Sequence, residues 1–345
     1  MSIVIDGGRV PKLLSRNNRP HSPSADVREA PAVRVALINN MPDAALEDTE
    51  LQFFDLLGAA AGDLPVSLKL YSLPELPRSD AGQQHLSDFY WGIQDLLNSR
   101  FDGVIMTGTE PRQPDLRDEP YWPALTDVLD WAERSTTSTV LSCLAAHAGV
   151  LYSDGIARHR LSDKQFGVFE FKKISDHALT DGIGDRMQIP HSRWNEVRAD
   201  ELTSCGYQVL TQSVEAGVDL FVKEKKDSLF VHFQGHPEYG ARTLLKEYRR
   251  DIKRFLRRER ETYPTMPKGY FDTTASKLLS DFREKVVSEP HENLMTGFPG
   301  AAIADAVRGT WQSSAASVYR NWLQYLISKR ADATAISAMT PAVRA

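Results

Sequence analysis

Cys143 is placed as a nucleophile would be. The stretch Thr139-Val140-Leu141-Ser142 is largely β-branched and apolar, Leu144-Ala145-Ala146 is apolar and alanine-rich, and the thiol stands at the join. This reads as a strand, a sharp turn and a helix, which sets the sulfur at a helix N-terminus, where the dipole and unsatisfied N–H groups favour a thiolate. A buried free cysteine at a strand end is the plain alternative. His236 and Glu238, about 90 residues on, supply what a thiol needs: a base to take its proton and an acid to hold that base's tautomer. Pro237 between them fixes the backbone and removes a donor, so both side chains can converge just beyond a strand. Read singly, His236 is a turn histidine and Glu238 an acid near a helix start. Together the three point to nucleophilic catalysis. His232 and His236 make no metal motif, because neither HExxH spacing nor a cysteine pair accompanies them. Cys205, beside Gly206, reads as incidental, and Gly103, Gly108 and Gly155 form no nucleotide-binding fingerprint.

The elements that must position these residues alternate. Apolar strands are expected at 32–38, 66–71 and 103–106 and on the way into Cys143; helices are expected after Pro42, at 85–97 and at 121–135. The loop Thr107-Gly108-Thr109-Glu110-Pro111 follows a strand, where open α/β sheets place their ligands. This alternation predicts a parallel, doubly wound sheet. After the Cys143 helix come short β-like pieces at 167–171, 187–189, 208–210, 218–222 and 229–233, expected as antiparallel additions returning to that sheet. A long basic helix is expected over 241–261, its arginines forming a solvated face, some of which could meet an anionic substrate. Residues 261–306 read as irregular apart from a helix near 275–287, and a last helix is expected at 314–328. The expected organisation is an arm over 1–30, one α/β domain with a helical extension over 31–330, and a frayed tail over 331–345.

Composition narrows the function. A chain of 345 residues, 41 % hydrophobic and 25 % charged, has the usual globular mix. A net charge of −5 argues against nucleic acid or an anionic membrane as the main partner. No apolar run approaches the roughly 20 residues of a membrane span, and nothing at the N-terminus reads as an export signal. Two cysteines are too few for a disulfide scaffold, which fits the reducing cytoplasm.

From about residue 34 to 327 the chain resembles the homoserine O-acyltransferases of methionine biosynthesis, usually called homoserine O-succinyltransferases. The resemblance is carried by Asn40-Met41-Pro42, Phe101-Asp102-Gly103, Thr107-Gly108, Tyr121-Trp122-Pro123 and Cys143 before its helix. It continues in Lys164, Gly167-Val168-Phe169, His191-Ser192-Arg193, Gly235-His236-Pro237-Glu238-Tyr239 and Asn321-Trp322-Leu323. It implies a flavodoxin-like, doubly wound fold similar to class I glutamine amidotransferases, a homodimer, and ping-pong acyl transfer with succinyl-CoA or acetyl-CoA as co-substrate, no permanently bound cofactor and no metal. In that scheme Cys143 takes the acyl group, His236 deprotonates homoserine's hydroxyl and Glu238 orients His236. The N–H of Leu144 donates to the oxyanion, with a second donor expected from the loop after Met41. Lys164, Ser192 and Arg250 fall on substrate-binding positions, and Arg112 on the position associated with acyl choice, where an arginine favours a succinyl carboxylate. The chain departs from the family's pattern at Leu144 and His147, where tryptophan and glutamine are usual, and at Asp43-Ala44-Ala45, where lysines are usual. His147 and Asp43 to Ala45 are expected near the pocket, which leaves another hydroxy amino acid open as acceptor. A glutamine amidohydrolase shares the Gly-His-Pro-Glu ending, but Leu141 and Ala145 stand where those enzymes usually carry glycines. A non-catalytic binding protein is disfavoured by the three catalytic residue types occurring together.

Overall fold

The computed structural model describes residues 3–6, 32–304 and 306–339. Strands β1 to β5 are Ile3–Ile5, Val33–Ile38, Val66–Tyr71, Phe101–Met106 and Thr136–Ser142. Strands β6 to β12 are His159–Lys173, Arg186–Glu196, Gln208–Val209, Thr211–Ser213, Gly217–Val218, Leu220–Lys225 and Ser228–Phe233. Helices α1 to α5 are Asp43–Ala61, Asp80–Phe89, Ile93–Leu97, Trp122–Ser135 and Leu144–Asp154. Helices α6 to α10 are Ala199–Ser204, Thr243–Leu256, Thr273–Ser288, Gly300–Ala304 and Gln312–Met339.

The main sheet has the order β1-β3-β2-β4-β5-β12-β11-β8. Strands β3, β2, β4, β5 and β12 are parallel and follow the 2-1-3-4-5 order of a flavodoxin-like doubly wound sheet. Strand order reverses between β2 and β4, and the loops leaving their carboxyl ends open a crevice there. Asn40 ties those loops together: its N–H donates to Thr107 Oγ1 at 2.8 Å and its side-chain amide to the Thr107 carbonyl at 3.1 Å. Helices α1 and α10 cover one face through Phe53, Phe54, Tyr319 and Trp322, while α3, α4 and α5 cover the other through Leu96, Val128 and Ala146. Both faces of a parallel sheet are thereby buried, which is why its strands read as near-continuous apolar runs.

Several expectations need correction. Among the described residues only β8 and β11 add to the main sheet in antiparallel fashion; the piece at 229–233, expected to be antiparallel, is β12 and runs parallel to β5, and β10-β9-β6-β7 form a separate antiparallel sheet. The 15-residue β6 pairs with β7 over most of its length and turns Phe169, Phe171, Met187 and Ile189 into the core beneath α10. The helix expected over 85–97 is two helices, because the Trp91 N–H leaves helical geometry to donate to the Leu70 carbonyl at 2.8 Å. The basic helix α7 stops at Leu256, followed by Arg258 at φ 59°. The segment expected to be irregular holds α8, a 3-10 turn at Glu292–Gly297 and α9, which share an apolar cluster with α7. Within the stretch expected as an arm, Ile3 and Ile5 alternate inward and pair with β3; residues 1–2 and 7–31 lie outside the described residues. The last helix runs on to Met339, and residues 340–345 of the expected tail lie outside the described residues.

Candidate active site

Cys143 leaves β5 at φ 53° and ψ −112° and caps α5. A non-glycine residue in that region costs on the order of 1–2 kcal/mol and is held only where its surroundings over-determine it. Here the neighbouring strand does so: Phe233 pairs with Ser142, and the Cys143 N–H donates to the Phe233 carbonyl at 2.7 Å. No side chain caps α5, so its first amides, Leu144's among them, have no intrahelical partner. Gly108 backs this turn. A Cβ there would lie 2.9 Å from the Leu144 nitrogen and 2.8 Å from its Cβ, so only glycine lets the loop after β4 approach the Leu144 amide. The two loops that could supply a second oxyanion donor differ in what is free. The N–H groups of Asn40 and Met41 already donate to Thr107 Oγ1 and Asn39 Oδ1.

His236 and Glu238 follow β12, the parallel neighbour of β5. The His236 N–H donates to the Pro190 carbonyl at 2.8 Å, and its ring stacks on Tyr239 at 4.2 Å. Nδ1 meets Glu238 Oε1 at 2.8 Å, which leaves Nε2 for the Cys143 thiol. Burial works against charging this imidazole, but the opposing charges of Cys143 and Glu238 and the Glu238 hydrogen bond outweigh it and hold the pKa well above the ordinary value, while Nε2 itself is buried with no hydrogen-bond partner among the described residues. The arrangement therefore favours a charged imidazole at His236. Gly235 sits tightly against His191 and Asp219, and donates its N–H to Asp219 Oδ1 at 2.6 Å. Burial lifts the Asp219 carboxyl to about 7. The Nδ1 of His191 accepts from Arg193 Nε at 3.1 Å, and burial keeps that imidazole neutral.

Lys164, Ser192 and Arg250 converge on an acid that the sequence reading did not single out, Glu247 of α7. Its Oε2 accepts from Ser192 Oγ at 2.5 Å and lies 3.4 Å from Lys164 Nζ and 3.8 Å from Arg250. Its Oε1 accepts from the Tyr239 hydroxyl at 2.5 Å. Burial would raise the Glu247 pKa, but Lys164, Ser192, Tyr239 and Arg250 together lower it, so the carboxylate stays charged. Asp251 adds a second acid, 3.3 Å from Lys164 and 3.0 Å from Arg250. Tyr239, stacked on His236 and bonded to Glu247, connects this cluster to His236. The only sign of Glu247 in the sequence is an acid set in a run of basic residues.

Arg112 is exposed on the loop after β4, whose shape the buried Glu119 fixes by accepting the Gln113 N–H at 2.7 Å and the Arg112 N–H. Asp43 is neither free nor alone: Arg78 lies 3.1 Å away, and Ser79 donates to it through its N–H and its hydroxyl. His147 is not a pocket residue as expected. It is buried with its Nε2 2.9 Å from Gln234 Oε1, which joins the helix carrying Cys143 to the turn carrying His236. Burial depresses its pKa to about 3. Between about 3 in the native state and 6.5 in the unfolded chain, the unfolded chain binds more protons, so stability falls as pH falls through that window. His147→Gln keeps a donor for Gln234 and removes this titration. Its Tm is expected to drop less than the wild type's on acidification to about pH 5, by up to about 1.4 kcal/mol of stability per pH unit. Equal drops in thermal melts of the two proteins would count against this role.

Among the described residues, no group of three or more His, Cys, Asp and Glu is placed to hold a metal ion, and no helix is long and apolar enough to cross a membrane. A family model described as homoserine O-succinyltransferase matches residues 15–333. The homoserine O-succinyltransferase of Rhodopseudomonas palustris is 42 % identical over 91 % of this chain and 94 % of its own. That of Bradyrhizobium japonicum is 40 % identical over 94 % and 99 %, and that of Methylorubrum extorquens 43 % over 86 % and 88 %. Among solved structures, a glutamine amidotransferase from Thermotoga maritima aligns with 86 % of this chain and 99 % of that chain at 12 % identity and a TM-score of 0.44. With a family model over most of its length and relatives this similar, the chain belongs to the homoserine O-succinyltransferase family.

Proposed function

We propose that this protein transfers the succinyl group of succinyl-CoA to the hydroxyl of L-homoserine through a thioester on Cys143. The observation that carries the reading is the junction of the neighbouring strands β5 and β12, where a strained cysteine ends one strand and a histidine bonded to its carboxylate, with its buried Nε2 left unpartnered, follows the other. Family membership supports the substrates.

The Cys143 thiolate attacks the thioester carbonyl, and the Leu144 N–H stabilises the oxyanion, a contribution of about 3 kcal/mol for a well-placed donor. Collapse breaks the bond to the CoA sulfur, which takes the proton from His236 and leaves as the free thiol. His236 Nε2, now unprotonated, takes the hydroxyl proton of homoserine as its oxygen attacks the acyl carbonyl. The second collapse breaks the bond to Cys143 and restores the thiolate–imidazolium pair. Glu238 holds the histidine in the required tautomer throughout. Lys164, Ser192 and Arg250 bind the amino acid, with a guanidinium suited to its carboxylate. Glu247 and Asp251 offer the negative charge its ammonium needs, so the cluster matches a zwitterion. Arg112 pairs with the free carboxylate of the succinyl group.

Intact-mass measurement after mixing with succinyl-CoA, acetyl-CoA or glutamine tests this. A succinyl adduct on Cys143, discharged by homoserine, is expected. An acetyl adduct alone would reassign the donor, and a glutamyl adduct would move the protein to the amidohydrolases. No adduct with any donor, and no CoA release with homoserine present, would remove acyl transfer altogether. Arg112→Glu is expected to shift the succinyl-to-acetyl ratio toward acetyl by about tenfold, the value of one charge-assisted hydrogen bond; an unchanged ratio rules out that role.

A further inference from the structure

The crevice at the switch point between β2 and β4 holds a cleft of ≈ 530 Å³, within the range of ligand pockets. Its walls are the start of α1, the loop before α2 and the loop after β4. The carboxylates in this lining already have cations. Asp43 pairs with Arg78, and Glu110 lies 3.7 Å from Arg254 of α7. The arginines keep donors to spare. The Arg78 side chain is only 5 % exposed and donates to the Met41 carbonyl, Asp43 and Ser72 Oγ, yet its buried Nε has no acceptor among the described residues. Arg112 is exposed on the loop after β4, and nothing among the described residues engages its guanidinium. Buried N–H groups of charged side chains are nearly always bonded, so an unpaired one beside an open cleft points to an acceptor brought by a ligand.

We infer that this cleft seats an anionic group of the acyl donor between two guanidiniums, with Arg78 as the buried one, Arg112 as the exposed one, and Asp43 positioning Arg78. The inference rests on the acyl transfer proposed above. The cleft shares Asn40 and Thr109 with the small pocket lined by Gly108 and Leu144, and so opens toward the oxyanion side of Cys143. The amino-acid cluster is reached instead through Tyr239 and His236. The ligand chemistry is a carboxylate or phosphate oxyanion, from either the acyl chain or the CoA moiety.

Steady-state kinetics of Arg78→Gln decide it. The kcat/KM for succinyl-CoA is expected to fall about tenfold or more, while that for homoserine, which reports the second half-reaction, stays near wild type. If inhibition by free CoA weakens in parallel, the seated group is a CoA phosphate; if it is unchanged, the group is the succinyl carboxylate. A folded Arg78→Gln with wild-type kcat/KM for succinyl-CoA overturns the inference. Should that variant fail to fold, Ala44→Glu sets a carboxylate in the same cleft at an exposed first-turn position that favours acids. The same fall is expected from it, and no fall overturns the inference. Wild-type protein that releases no CoA at all would overturn the acyl transfer itself, an outcome distinct from either.

Discussion

Cys143→Ala protein is expected to release no CoA above background, a loss of at least about 10⁴-fold, since removing the nucleophile of a triad leaves only binding and oxyanion stabilisation. Detection of free CoA thiol with homoserine and succinyl-CoA present checks this. Residual turnover within tenfold of wild type would mean that homoserine attacks the thioester directly and that no cysteine intermediate forms. The result is interpretable because the substitution is conformationally neutral. Alanine and cysteine meet the same restriction at φ 53°, so alanine leaves the strain at this turn in place. Glycine relieves it. Cys143→Gly is therefore expected to be equally inactive but more stable than Cys143→Ala by about 1 kcal/mol, read as a higher Tm. A glycine variant no more stable than the alanine one would show that the elbow is not strained.

Gly108→Ala is expected to lower kcat by about 10²–10³-fold, the cost of losing one oxyanion donor, while the protein stays folded. The added methyl must displace Leu144, since it would stand within 3.0 Å of both its nitrogen and its Cβ. Moving that amide removes the donor best placed beside Cys143. The effect should appear in kcat for both half-reactions, because each passes through a tetrahedral oxyanion at the same carbonyl. Wild-type kcat from a folded Gly108→Ala protein would show that the Leu144 amide is not used.

Local periodicity made much of the architecture readable. Strands β2 to β5 and helices α1 and α4 carry apolar patterns whose partners follow within a few tens of residues, as right-handed β-α-β units require. The separate antiparallel sheet was not readable. The first half of β6, from His159 to Gln165, is polar on both faces apart from Leu161, and its pairing with β7 declares itself only when the strands meet. Trp91 is similar: its aromatic neighbours fit a helix, but a hydrogen bond to β3 breaks that helix in two.

The site divides in the same way. Residue type and order alone pointed to Cys143, His236 and Glu238, because a thiol at a strand-to-helix join and a His-Pro-Glu turn have specific chemistry. Glu247 and Arg78 have no such local mark, one being an acid in a basic helix and the other an arginine in a Pro-containing loop. Their meaning comes in large part from distant partners: Ser192 is 55 residues from Glu247, and Asp43 is 35 residues from Arg78. His147 shows the converse: near the nucleophile in sequence, it turns inward because helical geometry sets it against Gln234 rather than the pocket. The sequence by itself pointed to a candidate nucleophile and base and determined the parallel sheet that makes their strands neighbours, since these depend on short-range pattern and residue chemistry. Only the tertiary structure decided which charges neutralise one another and which remain free for substrate, because that depends on burial and on distances between segments far apart in the chain.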